Sequence, residues 1–252
     1  MVKSYLCSKH HRNKMLPQWQ KGIVKQIEQV TPITRRYWLE LPETNKIDFK
    51  AGQFITLDLP IHEQRNKRWR SYSIASMPDG GNVIELLIVY LKGGLASEYI
   101  FNEVKEGSFF TLRGPQGVFV IPDSLEKDLY MISTGTGIAP FRSMLQYMHH
   151  HNVPHGNVNL VFGTRTREGL LYGSEMKELE QTMRGFQYYQ TLSREQWDGR
   201  TGYVHPIYEE LCAGKKPSTF MLCGWRAMID EAKERIVKMG YDRKDIHVEI
   251  YG

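Results

Sequence analysis

The pattern of apolar and polar positions changes character once along the chain. Up to Phe119 apolar residues recur at every second position in short runs bounded by Pro or Gly. The runs lie at 23–29, at Tyr37, Leu39 and Leu41, at Ile55, Leu57 and Leu59, and at 70–75, 83–91 and 109–112. Alternation of this kind marks strands, whose successive side chains point to opposite faces. One helical patch, 97–104, interrupts it after Gly93-Gly94. Six short strands with one inserted helix predict a small antiparallel β-barrel or sandwich. After Pro122 strand-like runs at 129–132, 158–162, 186–192, 220–223 and 247–251 alternate with helical stretches at 141–150, 174–183, 207–211 and 227–239. That alternation predicts an open α/β parallel sheet with crossover helices. In the last helix Ile229, Ala232, Ile236 and Met239 share one apolar face, which packs it on the sheet. The pattern breaks near 123–128, dividing the chain into a tail (1–18), a barrel domain (19–124) and an α/β domain (125–252).

The sharpest local signal is the stretch 129–140. Leu129, Tyr130, Met131 and Ile132 break into Ser133-Thr134-Gly135-Thr136-Gly137, and Ile138-Ala139-Pro140 then opens a helix. Phe141, Met144, Leu145 and Met148 stand at i, i+3, i+4 and i+7 and form its apolar stripe, and the fixed φ of Pro140 suits a first helical position. A strand, glycine turn and helix N-terminus aim unpaired N–H groups and the positive end of a dipole at one spot, which suits a diphosphate. Gly135 and Gly137 allow close approach, although Pro140 stands where G-x-G-x-x-G has its third glycine. Alone, the turn reads equally well as a structural connector. Gly93-Gly94-Leu95-Ala96-Ser97 is a second glycine turn at a helix start, either another anion site or a connector capped by Ser97. On the run Arg70-Ser71-Tyr72-Ser73, Arg70 and Tyr72 share one face and Ser71 and Ser73 the other. Arg pairs with phosphate, Tyr offers a flat face to a ring system, and Ser can donate to a ring nitrogen. The same four residues also suit an ordinary barrel strand.

Composition narrows the class. The 252 residues are 41% hydrophobic and 24% charged, and no apolar run approaches the ~20 residues that a membrane helix needs. No membrane insertion is expected. The first residues lack an apolar signal core and carry Lys3, Lys9, Arg12 and Lys14, which reads as a solvated tail. Cys7, Cys212 and Cys223 are widely spaced and form no C-x-x-C, which argues against a disulfide framework, a metal site or an iron–sulfur cluster and favours a reduced, cytoplasmic setting. The net charge of +5 favours acidic partners.

Taken together, Arg70-x-Tyr72-Ser73, Gly94-x-x-Ser97 and Gly135-Thr136-Gly137-Ile138-Ala139-Pro140, with Cys223-Gly224 and Val248-Glu249-Ile250-Tyr251, resemble the ferredoxin–NADP reductase superfamily from about Trp19 to the end. The resemblance implies an FAD-binding antiparallel barrel followed by a pyridine-nucleotide-binding α/β domain, with the flavin between them. It assigns Arg70 to the flavin pyrophosphate, Tyr72 to stacking on the isoalloxazine, and Ser73, with Ser71 beside it, to the flavin edge near N5. Ile88, Val89 and Tyr90 and the turn Gly94, Ala96 and Ser97 would hold the rest of the FAD. Gly135, Gly137 and Pro140 would anchor the coenzyme, and Thr136 would touch both cofactors. Cys223 would lie beside the nicotinamide, Glu249 would position or protonate at the reacting centre, and Tyr251 would cover the second flavin face. The family ends on that aromatic, whereas Gly252 follows it here.

Coenzyme choice follows from charge. Ser193-Arg194 resembles the family's 2′-phosphate site for NADP, and Arg200, together with Arg165 after Thr164, offers further cations; each of these arginines can also be a solvated loop charge. With no cysteines for an internal cluster, electrons would leave to a separate acidic carrier, a ferredoxin or flavodoxin. Arg65, Lys67 and Arg68 are candidates for its docking surface. The expected activity is hydride exchange between NADPH and bound FAD coupled to single-electron exchange with that carrier. The alternatives are the reductase component of an oxygenase, an NAD(P)H:flavin reductase, or a non-catalytic nucleotide- or nucleic-acid-binding module using the basic tail. The first reading implies no DNA or RNA partner, and a monomer is expected.

Overall fold

In the computed structural model, which describes residues 18–251, the two patterns become two sheets. Lys3, Cys7, Lys9, Arg12, Lys14 and Gly252 lie outside the described residues. The first sheet contains β1 (Trp19–Thr31), β2 (Thr34–Glu40), β3 (Phe54–Asp58), β4 (Trp69–Ser73), β5 (Val83–Val89) and β6 (Phe109–Gln116), with α1 (Leu95–Asn102) before β6. Its order is β4-β3-β6-β1-β2-β5, and every pairing is antiparallel. The edges close into a barrel through the bridge Ile74–Leu86 and the hydrogen bond from Ala75 N to Glu85 O at 2.8 Å. The alternating residues Tyr37, Leu39, Ile55, Leu57, Leu86 and Leu112 fill the interior.

Closure stops at that bridge. Continuing its register would set Tyr72 opposite Ile88 and Arg70 opposite Tyr90, but no ladder forms there. The Tyr90 N–H instead donates to Ile33 O at 2.6 Å, drawing the chain after β5 toward the β1–β2 turn. The barrel therefore opens along a seam between β4 and β5.

The second sheet contains β7 (Asp128–Thr134), β8 (Val158–Thr164), β9 (Phe186–Leu192), β10 (Arg200–Thr201), β11 (Ser218–Trp225) and β12 (Ile246–Tyr251). They run in the order β10-β9-β8-β7-β11-β12, all parallel. Period-two alternation sorts the strands' side chains. Leu129, Met131, Leu160, Phe162 and Met221 face α2 (Ile138–His150) and α3 (Gly173–Thr182). Tyr130, Ile132, Val161 and Leu222 face α4 (His205–Leu211) and α5 (Arg226–Lys238). Helices thus cover both faces, as the alternation of elements implies. The barrel packs on the α2 side, where Ala51, Ala75 and Leu87 join Phe119, Phe141 and Met144 in one buried cluster.

Three details differ from the sequence pattern. Helices α1 and α2 start at Leu95 and Ile138, because Gly94 and Gly137 occupy the caps and no side-chain cap bond marks either start. Pro140 is accordingly the third residue of α2, where its missing N–H costs nothing because the first four amides lack intrahelical acceptors. Ser97 is not the cap. Its Oγ accepts from Leu91 N at 3.0 Å and donates to Leu91 O at 2.8 Å, with Gly94 O at 3.0 Å the other acceptor within reach, bracing the glycine turn. The two-residue β10 is too short to show any alternation.

Candidate active site

Strand order reverses between β7 and β11, whose following helices pass to opposite faces of the sheet, the position at which open α/β sheets bind ligands. Gly135 has φ of +55°, and a Cβ built there would meet nothing within 4 Å. Gly137 is required for the opposite reason: its Cβ would fall 2.4 Å from the Cys223 carbonyl oxygen. At Gly224, with φ of +142°, a Cβ would lie 2.5 Å from Thr134 Oγ1. The two loops touch backbone to backbone because glycines stand at the contact. Ser133 Oγ and Thr134 Oγ1 are buried without a hydrogen-bond partner among the described residues, which is uncommon for buried hydroxyls. Unclaimed hydroxyls and a clear approach over Gly135 beside a helix N-terminus fit a polar, anionic ligand such as a coenzyme diphosphate.

Four residues named from the sequence converge where barrel and sheet meet. Cys223 pairs in register with Glu249 on β12 and with Ser133 on β7. Glu249 and Tyr251 alternate onto the face that the barrel covers. The Tyr251 hydroxyl donates to Ser73 Oγ at 2.5 Å, and Ser73 Oγ donates to Glu249 Oε1 at 2.5 Å. Burial raises the Glu249 carboxyl to about 7, partly opposed by the Ser73 hydrogen bond. Burial, with the Glu249 charge adding to it, also pushes the Cys223 thiol well up. Tyr251 rises for the same first reason. Glu249 can therefore hold or release a proton near neutral pH, and Cys223 is a neutral thiol.

Along the barrel seam, Arg70 Nη1 donates to the carbonyls of Lys67 (3.0 Å) and Trp69 (2.8 Å) and forms no carboxylate pair among the described residues. Tyr72 lies against the barrel core. Across the seam the Tyr90 hydroxyl donates to Glu98 at 2.7 Å, and its ring packs at 5.4 Å on Phe101. Ile88 is spent in the barrel interior, Ala96 is buried, and Val89 is half-buried, so these three offer a ligand mainly backbone. Ser71 does not converge with the others: it faces away from Tyr72, and its Oγ lies 3.1 Å from that of Thr56.

A cavity of about 320 Å³ beyond the ends of β9 and β10 is lined by Ser193, Arg194, Glu195, Gln196, Thr201 and Gly202. Backbone bonds from Ser193 N to Thr164 O and from Arg194 N to Arg165 O, both 2.9 Å, hold the ends of β8 and β9 together there. The Arg194 guanidinium has no hydrogen-bond or ion-pair partner among the described residues. Glu195, overlooked in the sequence, has one carboxylate oxygen accepting from Arg167 N at 2.8 Å. Arg200 is not a member of the cavity, since its guanidinium forks onto Glu210 at 2.6 and 3.0 Å. Tyr203 also escapes notice in the sequence. It is 73% exposed directly after Gly202, and the only hint is an aromatic following Arg-x-Gly.

Among the described residues no cluster of three or more metal-ligating side chains is found, and no helix is long and apolar enough to cross a membrane. Comparison with known proteins agrees with the geometry. The family described as oxidoreductase FAD-binding domain matches residues 21–121, and the oxidoreductase NAD-binding domain matches residues 131–234. Ferredoxin–NADP reductase B of Sorangium cellulosum is 31% identical over 234 residues, covering 89% of this chain and 94% of the relative. The anthranilate 1,2-dioxygenase electron transfer component of Acinetobacter baylyi is 28% identical over 215 residues, 84% of this chain but 61% of that longer protein. The crystal structure of an Amycolatopsis cytochrome P450 reductase superposes with a TM-score of 0.83 at 25% identity, covering 93% of this chain and 70% of that one. With both domain families in order and a relative matched over nearly its whole length, the chain belongs to the ferredoxin–NADP reductase superfamily of NAD(P)H-dependent flavoprotein oxidoreductases.

Proposed function

We propose that this protein is an NADPH-dependent reductase that exchanges a hydride between NADPH and FAD and exchanges single electrons with a separate acidic carrier, a ferredoxin or flavodoxin. Bound flavin supplies the coupling of hydride to one-electron chemistry. The chain supplies the rest. Arg70, Tyr72, Tyr90 and the turn Gly94–Ser97 hold the flavin in the seam, and the loop Gly135–Pro140 receives the coenzyme diphosphate. Ser73 and Glu249 keep a hydrogen-bonded proton at the junction, and Cys223 and Tyr251 seal it from water. The observation that carries this reading is the contact of Ser73, on the barrel, with Glu249 and Tyr251, on the sheet, beside the strand-order reversal at β7 and β11. It brings a flavin motif and a nucleotide motif to one place.

Preference for NADPH rests on Arg194, whose guanidinium stands beside the cavity without a partner among the described residues. Arg65 and Arg68 share the one carboxylate of Asp58, so with Lys67 the run keeps a net positive charge, which favours an acidic partner. A second reading, the reductase component of an oxygenase, is favoured by the Acinetobacter relative and differs only in the acceptor. Arg194→Ala tests the coenzyme assignment. One charge-assisted bond contributes about 1.5–3 kcal/mol, so the variant should bind NADPH at least ~10-fold more weakly and NADH unchanged. Equal loss with both coenzymes would refute the role of Arg194.

A further inference from the structure

The junction contains a second polar cluster, outside the flavin and coenzyme motifs. Glu85 on β5 is 2% exposed and Arg142 on α2 is 7% exposed. Arg142 Nη1 donates to Glu85 Oε2 and to Ala75 O, both at 2.9 Å. Its Nε donates to both oxygens of Glu175, at 2.9 and 2.8 Å. Glu85 also accepts from Arg36 at 2.8 and 2.9 Å and from the Tyr172 hydroxyl at 2.6 Å. Burial by itself would raise the Glu85 carboxyl, but the hydrogen bonds and charges of Arg36, Arg142 and Tyr172 outweigh it and hold it low. The neighbouring Ser143 Oγ donates to Ser76 O at 2.7 Å.

Stability alone does not account for such a cluster, because a buried ion pair is on average no more stabilising than apolar residues of the same volume. What it does fix is geometry. A planar guanidinium with three acceptors leaves one orientation of α2 against the barrel. Tyr172 is held in a left-handed conformation, φ 53°, a strained backbone that the surroundings must enforce. The two segments joined are those that matter for hydride transfer. Ala75 and Ser76 follow Ser73 after one residue, Ile74, and Arg142 and Ser143 follow the loop Gly135–Pro140 after one residue, Phe141.

We infer that Arg142, acting through Glu85 and Ala75, is a positioning residue that fixes the coenzyme loop relative to the flavin strand and so sets the ring-to-ring geometry of hydride transfer. The inference rests on the function proposed above. Arg142→Met keeps an unbranched apolar stem in place of the arginine's, removes the guanidinium and leaves Glu85 paired with Arg36 and Tyr172. Misplacement by an ångström can cost ~100-fold in rate. The expected result is a ~10- to 100-fold slower flavin reduction by NADPH in single-turnover mixing, with FAD affinity and NADPH Kd unchanged. Arg142→Lys, which keeps one charged bond to Glu85, should recover part of the rate.

Tyr172→Phe, which removes one hydroxyl and no volume, should slow reduction in the same way but less, and serves if the Met variant fails to fold. In the flavin-free protein, amide exchange at Ala75, whose N–H donates to Glu85 O, should quicken in Arg142→Met and slow again in Arg142→Lys. An Arg142→Met protein that reduces at the wild-type rate, or one that loses coenzyme affinity as much as rate without rescue by Lys, overturns the inference. Should the wild-type protein itself fail to take up flavin or to be reduced, the proposed function falls and this inference with it. That outcome is distinct from a variant matching an active wild type.

Discussion

Glu249 makes the junction's electrostatics measurable without any cofactor. Its carboxyl sits at about 7 in the folded chain against an ordinary 4.5, because burial penalises the charge more than the Ser73 hydrogen bond supports it. Between those values the folded chain keeps the proton and the unfolded chain has lost it. Stability therefore falls as pH rises from about 4.5 and stops falling above about 7. At 1.36 kcal/mol per pKa unit, the total loss is about 3 kcal/mol. Glu249→Gln retains a neutral oxygen for Ser73 and does not titrate, so its stability relative to wild type should grow by about 3 kcal/mol between pH 4.5 and pH 8. For a chain of this length that is a gain of roughly 6–12 °C in Tm over the wild type. Thermal melts of both flavin-free proteins at the two pH values read it directly. A difference that stays flat across pH, or one that shrinks as pH rises, would refute the raised carboxyl and with it the assignment of Glu249 as a proton holder at neutral pH.

Two further outcomes are expected. Gly137→Ala places a methyl group 2.4 Å from the Cys223 carbonyl oxygen, a backbone atom that cannot rotate away, so it should destabilise the protein by about 1–3 kcal/mol and weaken coenzyme binding; urea midpoints and NADPH titration check this, and an unchanged protein would mean that the loops do not meet. Electron transfer to ferredoxin or flavodoxin should slow with rising salt and on Lys67→Glu, as screening and charge reversal weaken attraction to an acidic carrier; salt-independent rates would point to a different acceptor.

Much of the architecture is legible in the sequence for a simple reason. Alternation in β7 places Leu129 and Met131 on one face and Tyr130 and Ile132 on the other, as the two buried clusters show. The glycines at 135 and 137 mark a turn that other residues cannot make. What escapes is whatever depends on partners distant in sequence. Glu85, Arg142 and Tyr172 look like ordinary surface-strand and helix residues until a fold brings together positions 57 and 87 residues apart. Arg200 resembles a phosphate ligand because the sequence does not show Glu210 claiming it. Ser71 resembles Ser73, yet only Ser73 stands at the end of β4 where the second sheet meets the barrel. Helix starts capped by glycine leave no polar signature, so α1 and α2 begin two and three residues before the helical patterns at 97 and 141.

The central claim is that the barrel seam and the strand-order reversal at β7 and β11 bring a flavin and a nicotinamide coenzyme together at Ser73, Glu249 and Tyr251. Anaerobic mixing of the FAD-reconstituted protein with NADPH, followed by visible absorbance, tests it most directly. The account predicts one FAD bound per chain and rapid bleaching of its yellow band in a single turnover. A protein that binds no FAD, or whose bound FAD stays oxidised in excess NADPH and NADH alike, would contradict it.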